Sequence, residues 1–162
     1  MMNDPTLTPR APVNASLAGV VAIVDDDHDI AQALKDWFQL GGLQAENYKS
    51  GESLLLAIAQ SEGYPTLQSC ADPSVHTELV GVVLDLNLPC ISGFELAAAL
   101  RLRFPRLPLV VITAMRDFER APHRSACADI TCLQKPFDLD DLDDALFPMM
   151  YGNLRQPQDR SA

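Results

Sequence analysis

The sequence predicts an α/β domain in which helices wind both faces of a five-stranded parallel sheet, and three observations carry that prediction. Short apolar runs rich in β-branched residues recur at residues 19–24, 79–84 and 109–113, which is how strands buried on both faces read. Segments of helical spacing alternate with these runs, as right-handed crossovers between parallel strands require. The chain has 162 residues, enough for one well-buried core and too few for two comfortable ones.

Residues 1–18 place Pro5, Pro9 and Pro12 among Asn, Thr and Ser and read as a disordered leader, so the domain itself is expected over 19–150. Residues 19–24 (GVVAIV) form the first strand, which ends in Asp25, Asp26 and Asp27. Asp27 has the place of a helix N-cap, but a cap does not account for all three acids. Ile30, Leu34, Trp37 and Phe38 follow at helical spacing, and Gly41 stops that helix. Residues 43–48 make a polar second strand suited to a sheet edge. A second helix is predicted over 50–60, opened by Ser50 and carried by Leu54, Leu55, Ile58 and Ala59. Residues 61–78, with two prolines and a glycine, show no pattern and are expected to be a long loop insertion.

The central strand then runs to Asp85 and gives way to the turn and cap residues Asn87, Pro89, Ser92 and Gly93. Ser92 and Glu95 have capping-box spacing, which predicts a helix over 94–104, ended by Pro105 and Pro108. A fourth strand follows at 109–113, a helix interrupted by Pro122 at 116–128, and a fifth strand at 130–133. After Lys135-Pro136-Phe137, the acids of 138–147 suit the positive end of a last helix, which Pro148 should shorten. Residues 151–162 are expected to be a flexible tail.

Composition narrows the classes of function. Hydrophobic residues make up 48% of the chain and charged residues 21%, with no apolar run of membrane-spanning length and no signal peptide, so a cytoplasmic location without membrane contact is expected. Cys70, Cys90, Cys127 and Cys132 lack the spacing of a zinc site or a disulfide framework and read as free thiols. A net charge of −10 repels nucleic acid, and no direct nucleic-acid binding is expected.

In open parallel sheets, reactive groups gather at the carboxyl ends of strands, and this chain concentrates polar residues there. Asp25 and Asp26 end the first strand, Asp85 the third and Thr113 the fourth, while Lys135 follows the fifth. At a separation of about 4 Å and an effective dielectric near 20, each like-charged pair costs about 4 kcal/mol, so a cation or protonation must intervene. Oxygen donors with room for water or a phosphate point to Mg²⁺ rather than zinc. A cation held beside Lys135 and the Thr113 hydroxyl would clamp phosphoryl oxygens and leave one carboxylate to attack phosphorus. Asp85, on the central strand, is the natural nucleophile. Taken singly, Lys135 reads as a solvated lysine and Thr113 as a β-former; their joint placement with three acids favours a site.

These residues resemble the receiver domain of bacterial two-component response regulators. The resemblance covers residues 20–147 and rests on VDDD at 24–27, LDLNLPCISG at 84–93, ITA at 112–114 and KPF at 135–137. It implies a flavodoxin-like, doubly wound sheet of order 2-1-3-4-5 and a phosphoacceptor at Asp85 served by a sensor histidine kinase or a phosphotransfer protein. Asp26, Asp85 and the Asn87 carbonyl would hold Mg²⁺ directly and Asp25 through water. Thr113, Ala114 and Lys135 would contact the phosphoryl group, and the Lys135–Pro136 peptide would be cis. Cys132 occupies a position where the family usually carries an aromatic switch residue, so the usual coupling of that residue to Thr113 does not carry over.

The resulting expectation is a stand-alone receiver that signals to a downstream protein partner and is not itself an enzyme in the ordinary sense. A phosphorelay shuttle or a phosphate sink uses the same residues. A haloacid-dehalogenase-like phosphatase also uses an aspartyl nucleophile after a strand, but it wants an acid two residues beyond, where this chain has Asn87.

Overall fold

The computed structural model describes residues 19–61, 64–69, 71–114 and 129–154, with backbone only for 60, 61 and 152–154. The strands are β1 (Val20–Val24), β2 (Gln44–Tyr48), β3 (Ile58–Ser61), β4 (Tyr64–Gln68), β5 (His76–Asp85), β6 (Leu109–Thr113) and β7 (Thr131–Gln134). The helices are α1 (His28–Leu40), α2 (Gly51–Ala57), α3 (Gly93–Arg103) and α4 (Leu139–Leu154). The expected leader at 1–18 and the expected helix at 116–128 lie outside the described residues.

β2, β1, β5, β6 and β7 pair in parallel in that order, which is the doubly wound arrangement the sequence predicts. Alternate side chains along each strand feed two cores. Val20, Ala22, Val24, Val82, Leu84, Leu109 and Val111 pack with α2 and α3, while Val21, Ile23, Val83, Val110 and Ile112 pack with α1 and α4. Because both faces are covered, β1, residues 79–84 of β5 and residues 109–112 of β6 carry no polar side chain, and a polar residue stands out where these strands end.

Local chemistry sets the helix starts. The Asp27 carboxylate accepts hydrogen bonds from the Asp29 and Ile30 amides at 3.0 and 3.3 Å, so Asp27 caps α1. Ser92 and Glu95 form the expected capping box, with the Glu95 amide 3.2 Å from Ser92 Oγ and the Ser92 amide 3.1 Å from Glu95 Oε2. Across the second core, the Trp37 indole N–H donates to Asp143 Oδ1 at 3.0 Å and joins α1 to α4.

The stretch 61–78 departs from expectation. It is not one unbroken loop: the last residue of β3, all of β4 and the first three residues of β5 lie within it, and α2 ends at Ala57 instead of reaching residue 60. β3 and β4 form an antiparallel hairpin with Ser61 opposite Tyr64, and β4 continues antiparallel onto His76–Glu78 of β5. Burial of Ile58 and Leu67 in the core beside α2 and α3 favours strand over a further helical turn. Pro65 is tolerated because β4 meets β5 only through Thr66–Gln68, so its missing N–H faces no ladder there.

A second correction concerns Pro148, which does not end the last helix: α4 continues to Leu154, into the expected tail. A proline inside a helix costs about 3 kcal/mol. Burying Phe147 and Met150 against the sheet offsets that cost, at about 1.5–3 kcal/mol for each fully buried side chain. Gly81 leaves the space for it, since a Cβ there would lie 3.3 Å from Leu146 and 3.5 Å from the Met150 sulfur.

Gly93 opens α3 under a tighter limit. A Cβ at this position would stand 2.4 Å from Leu86 Cα and 2.7 Å from the Asp85 carbonyl oxygen, both backbone atoms with little freedom to move. Gly93→Ala should therefore lower stability by about 2–3 kcal/mol, toward the upper end of overpacking costs, as read from urea unfolding midpoints.

Candidate functional site

β1 and β5 run side by side with Val24 opposite Leu84, so Asp25 and Asp85 emerge together at their carboxyl ends. Both are buried, whereas Asp26 is exposed, and one carboxylate oxygen from each of the three lies within 4.8 Å of the others. The two buried acids are held in the same way. Asp25 Oδ1 accepts from the Asp27 amide and Asp85 Oδ1 from the Asn87 amide, each at 2.9 Å. Each turn fixes one oxygen and leaves Oδ2 facing Lys135, whose Nζ stands 3.1 Å from Asp85 and 3.5 Å from Asp25.

Lys135 reaches this point because β7 lies beside β6 and its amide donates to the Thr113 carbonyl at 2.7 Å. Its peptide bond to Pro136 is cis, as the resemblance implies. Thr113 is fully buried at the end of β6, one residue beyond the Asp85–Ile112 pairing, and Ala114 next to it is exposed. Asn87 is exposed on the loop after β5. Cys132 is half-buried on β7, against the core beside α2 and α3. Asp27 stands apart in role, since its carboxylate is used as the α1 cap.

Charge is not balanced by these residues alone. Three ionised carboxylates and one ammonium leave two negative charges. Burial, together with the neighbouring Asp85 carboxylate, raises Asp25 to about 6 against the opposing pull of the Asp27 amide and Lys135. Burial works against the Lys135 charge, but Asp25 and Asp85 outweigh it, so the lysine titrates above its ordinary range. A cluster of hard oxygen donors that draws a proton onto an aspartate suits a divalent cation, which would supply the missing positive charge.

A further residue of the site was not legible from spacing. The Ile91 amide donates to Glu52 Oε1 at 3.0 Å, tying the loop after Asp85 to the first turn of α2 across 39 positions of sequence. An acid in a helix's first turn is already explained by the helix dipole, so the sequence gives no separate sign of this role. Cys90, on the same loop, has a left-handed backbone with φ of 64°.

The sequence profile of the response regulator receiver domain matches residues 21–147. This chain belongs to the response regulator receiver family. It is 30% identical over 140 residues to the response regulator protein FleR of Pseudomonas aeruginosa, covering 85% of this chain and 26% of FleR. It is 28% identical over 123 residues to the DNA-binding transcriptional regulator NtrC of Salmonella typhimurium, covering 76% of this chain and 23% of NtrC. The chain thus spans about a quarter of the length of these curated relatives. Among solved structures it resembles the BeF3-activated DrrB receiver domain, with a TM-score of 0.65 at 20% identity over 83% of this chain and 99% of that one. It also resembles a sensor protein from Polaromonas sp. JS666, with a TM-score of 0.62 at 26% identity over 83% and 97%. The receiver fold accounts for the position of the acids. No described helix is long and apolar enough to cross a membrane.

Two outcomes follow from the geometry. Because the folded state raises Asp25 to about 6, the stability tied to its protonation is complete below the ordinary value of 3.8 and is lost as pH rises through about 6. In EDTA, wild type should lose melting temperature relative to Asp25→Asn between pH 4 and 7, roughly the window between those two values, and added Mg²⁺ should narrow the difference at the upper end. Separately, Glu52→Ala should speed amide hydrogen exchange at Ile91 by about tenfold, the loss expected for a hydrogen bond to a charged acceptor.

Proposed function

We propose that this chain is a phosphorylation-controlled receiver in which Asp85 accepts a phosphoryl group from a histidine kinase or a phosphotransfer protein. The observation that carries the reading is the convergence of Asp25, Asp26, Asp85 and Lys135 at the carboxyl ends of adjoining strands, with Lys135 Nζ 3.1 Å from Asp85. Asp25, Asp26, Asp85 and the Asn87 carbonyl are the groups that would hold Mg²⁺. The bound cation would neutralise the acids and draw electron density from the phosphoryl oxygens.

The protein's own groups account for the rest. Asp85 Oδ2 is the nucleophile, since Oδ1 is occupied by the Asn87 amide. Its attack forms a P–O bond to the carboxylate as the P–N bond of a phosphohistidine breaks and the imidazole departs with the electron pair. Lys135 then faces the new phosphoryl oxygens in place of the free carboxylate, and Thr113 and Ala114 line the same end of β6. Burial of Asp85 limits access of water to the acyl phosphate. The modified site acts through contact with a protein partner, and the chain serves as a signalling module, not as an enzyme that turns over a substrate. A shuttle or sink would use the same chemistry.

Incubation with acetyl phosphate and Mg²⁺ should add one phosphoryl group, read by intact mass spectrometry and lost on hydroxylamine treatment. Asp85→Asn should abolish the addition, and Lys135→Ala should slow it by about a hundredfold or more, given that removing one transition-state donor costs about 2.7–4 kcal/mol. Wild-type protein that stays unmodified would overturn the reading, and steady release of phosphate from simple esters would move it to the phosphatase class.

A further inference from the structure

We propose that Glu52 is a positioning residue for the divalent cation: by holding the Ile91 amide it fixes the loop that carries the Asn87 carbonyl, and so sets how tightly Mg²⁺ binds. The inference rests on the proposed reading of Asn87 as a ligand of that ion. Glu52 stands outside the group of converging carboxylates, which are those of Asp25, Asp26 and Asp85, so it acts through the loop and not as a ligand.

The loop between β5 and α3 is bonded at its two ends. At its start the Leu86 amide donates to the Ile112 carbonyl at 3.0 Å and the Asn87 amide to Asp85 Oδ1 at 2.9 Å. At its end the Gly93 amide donates to the Leu86 carbonyl at 3.2 Å, and Ser92 belongs to the capping box of α3. Between these ties Asn87, Pro89 and Cys90 are exposed, and a proline has no amide proton to offer. An exposed stretch of loop opens easily unless something outside it holds it. The Ile91 amide, 3.0 Å from Glu52 Oε1, fastens this stretch to a different element.

That element is a firm anchor. Leu54 of α2 is fully buried, and Ser50 caps the helix by accepting from the Ser53 amide at 3.2 Å. A Cβ on Gly51 would lie 3.1 Å from Leu96 Cδ2 and 3.7 Å from Ile91 Cβ, so the start of α2 presses against both α3 and the loop. The Glu52 carboxylate is charged where it works: its own amide, the Ile91 amide and the Ser50 hydroxyl hold it below the ordinary carboxylate range against the pull of burial. Cys90, next to Ile91, has φ of 64°, a left-handed conformation that is costly for a residue with a Cβ and persists where neighbouring bonds impose it. The bond from Ile91 to Glu52 is one such bond.

The constraint matters because Mg²⁺ accepts only near-ideal octahedral geometry at about 2.0–2.1 Å, whereas Ca²⁺ takes about six to eight oxygens in flexible arrangements. A carbonyl on a loop free to move must be ordered when the ion binds, and the cost of ordering is subtracted from the affinity. A carbonyl on a loop already held avoids that cost.

The test is a titration of the full, unphosphorylated chain with MgCl2 and, separately, CaCl2, followed by the amide NMR shifts around Asp85 and Asn87. Glu52→Ala should raise the Mg²⁺ Kd by about tenfold, the low end of what losing a group that supports a metal ligand costs, and the Ca²⁺ Kd by less than about threefold. Glu52→Gln keeps an oxygen acceptor without the charge, and since a neutral hydrogen bond is roughly half as strong, its Mg²⁺ Kd should rise by about threefold. Ser53→Ala disturbs the same turn of α2 without removing the bond to Ile91 and should leave the Mg²⁺ Kd unchanged; melting temperatures show whether each variant folds. With acetyl phosphate, Glu52→Ala should need about tenfold more Mg²⁺ for its half-maximal rate and keep its rate at saturation, because Asp85 and Lys135 are untouched. A folded Glu52→Ala chain that binds Mg²⁺ as tightly as wild type, an equal loss for the two ions, the same loss in Ser53→Ala, or a Glu52→Gln chain indistinguishable from wild type or from Glu52→Ala would overturn the inference. Wild type that does not respond to Mg²⁺ would overturn it together with the proposed function, whereas wild type that binds Mg²⁺ with this dependence on Glu52 and takes no phosphoryl group would overturn the proposed function alone.

Discussion

The Lys135 ammonium, placed between two buried carboxylates, is the interaction on which the geometry of this protein turns. Asp25 and Asp85 sit where burial and mutual repulsion both oppose their charge, and each is kept in place by a short turn and by the same lysine. That lysine arrives from a strand two positions away from Asp85 in the sheet, so the site exists only when β1, β5, β6 and β7 are assembled in order. Removing one partner from such a cluster leaves a buried charge uncompensated, which costs more than the intact pair contributes.

The tension is useful. A site that leaves two negative charges without a cation is suited to positive charge and, on the proposed function, to a reaction that changes charge at Asp85. The fold absorbs the cost because the strands beneath the acids are apolar on both faces and packed on both sides. Stability is concentrated below the site, and reactivity sits at its rim.

Most of the parallel sheet was legible because a strand buried on two faces has few alternatives: GVVAIV, LVGVVLD and LVVIT leave little room for another reading. The Asp27 cap and the Ser92–Glu95 box were legible for the opposite reason, being local bonds set by spacing alone. The hairpin was not, because two prolines and a glycine leave 61–78 without a visible strand pattern, although Pro65 lies where β4 has no second ladder to serve. Gly63 between two short runs was the signal available for a hairpin. The continuation of α4 past Pro148 depends on Met150 finding space over Gly81, and the Glu52–Ile91 bond joins residues far apart in sequence. Both are products of tertiary packing that no local pattern announces.

The hydrogen bond between Trp37 and Asp143 has a practical consequence. Trp37 is the sole tryptophan of the chain, half-buried on α1 and bound to a buried carboxylate on α4. Indole fluorescence excited at the red edge, where tyrosine does not absorb, therefore reports on the α1–α4 seam alone. A change in that emission on modification of Asp85 would mean that the disturbance had crossed the sheet to its far core, and an unchanged spectrum would localise it to the face that carries α2, α3 and the hairpin.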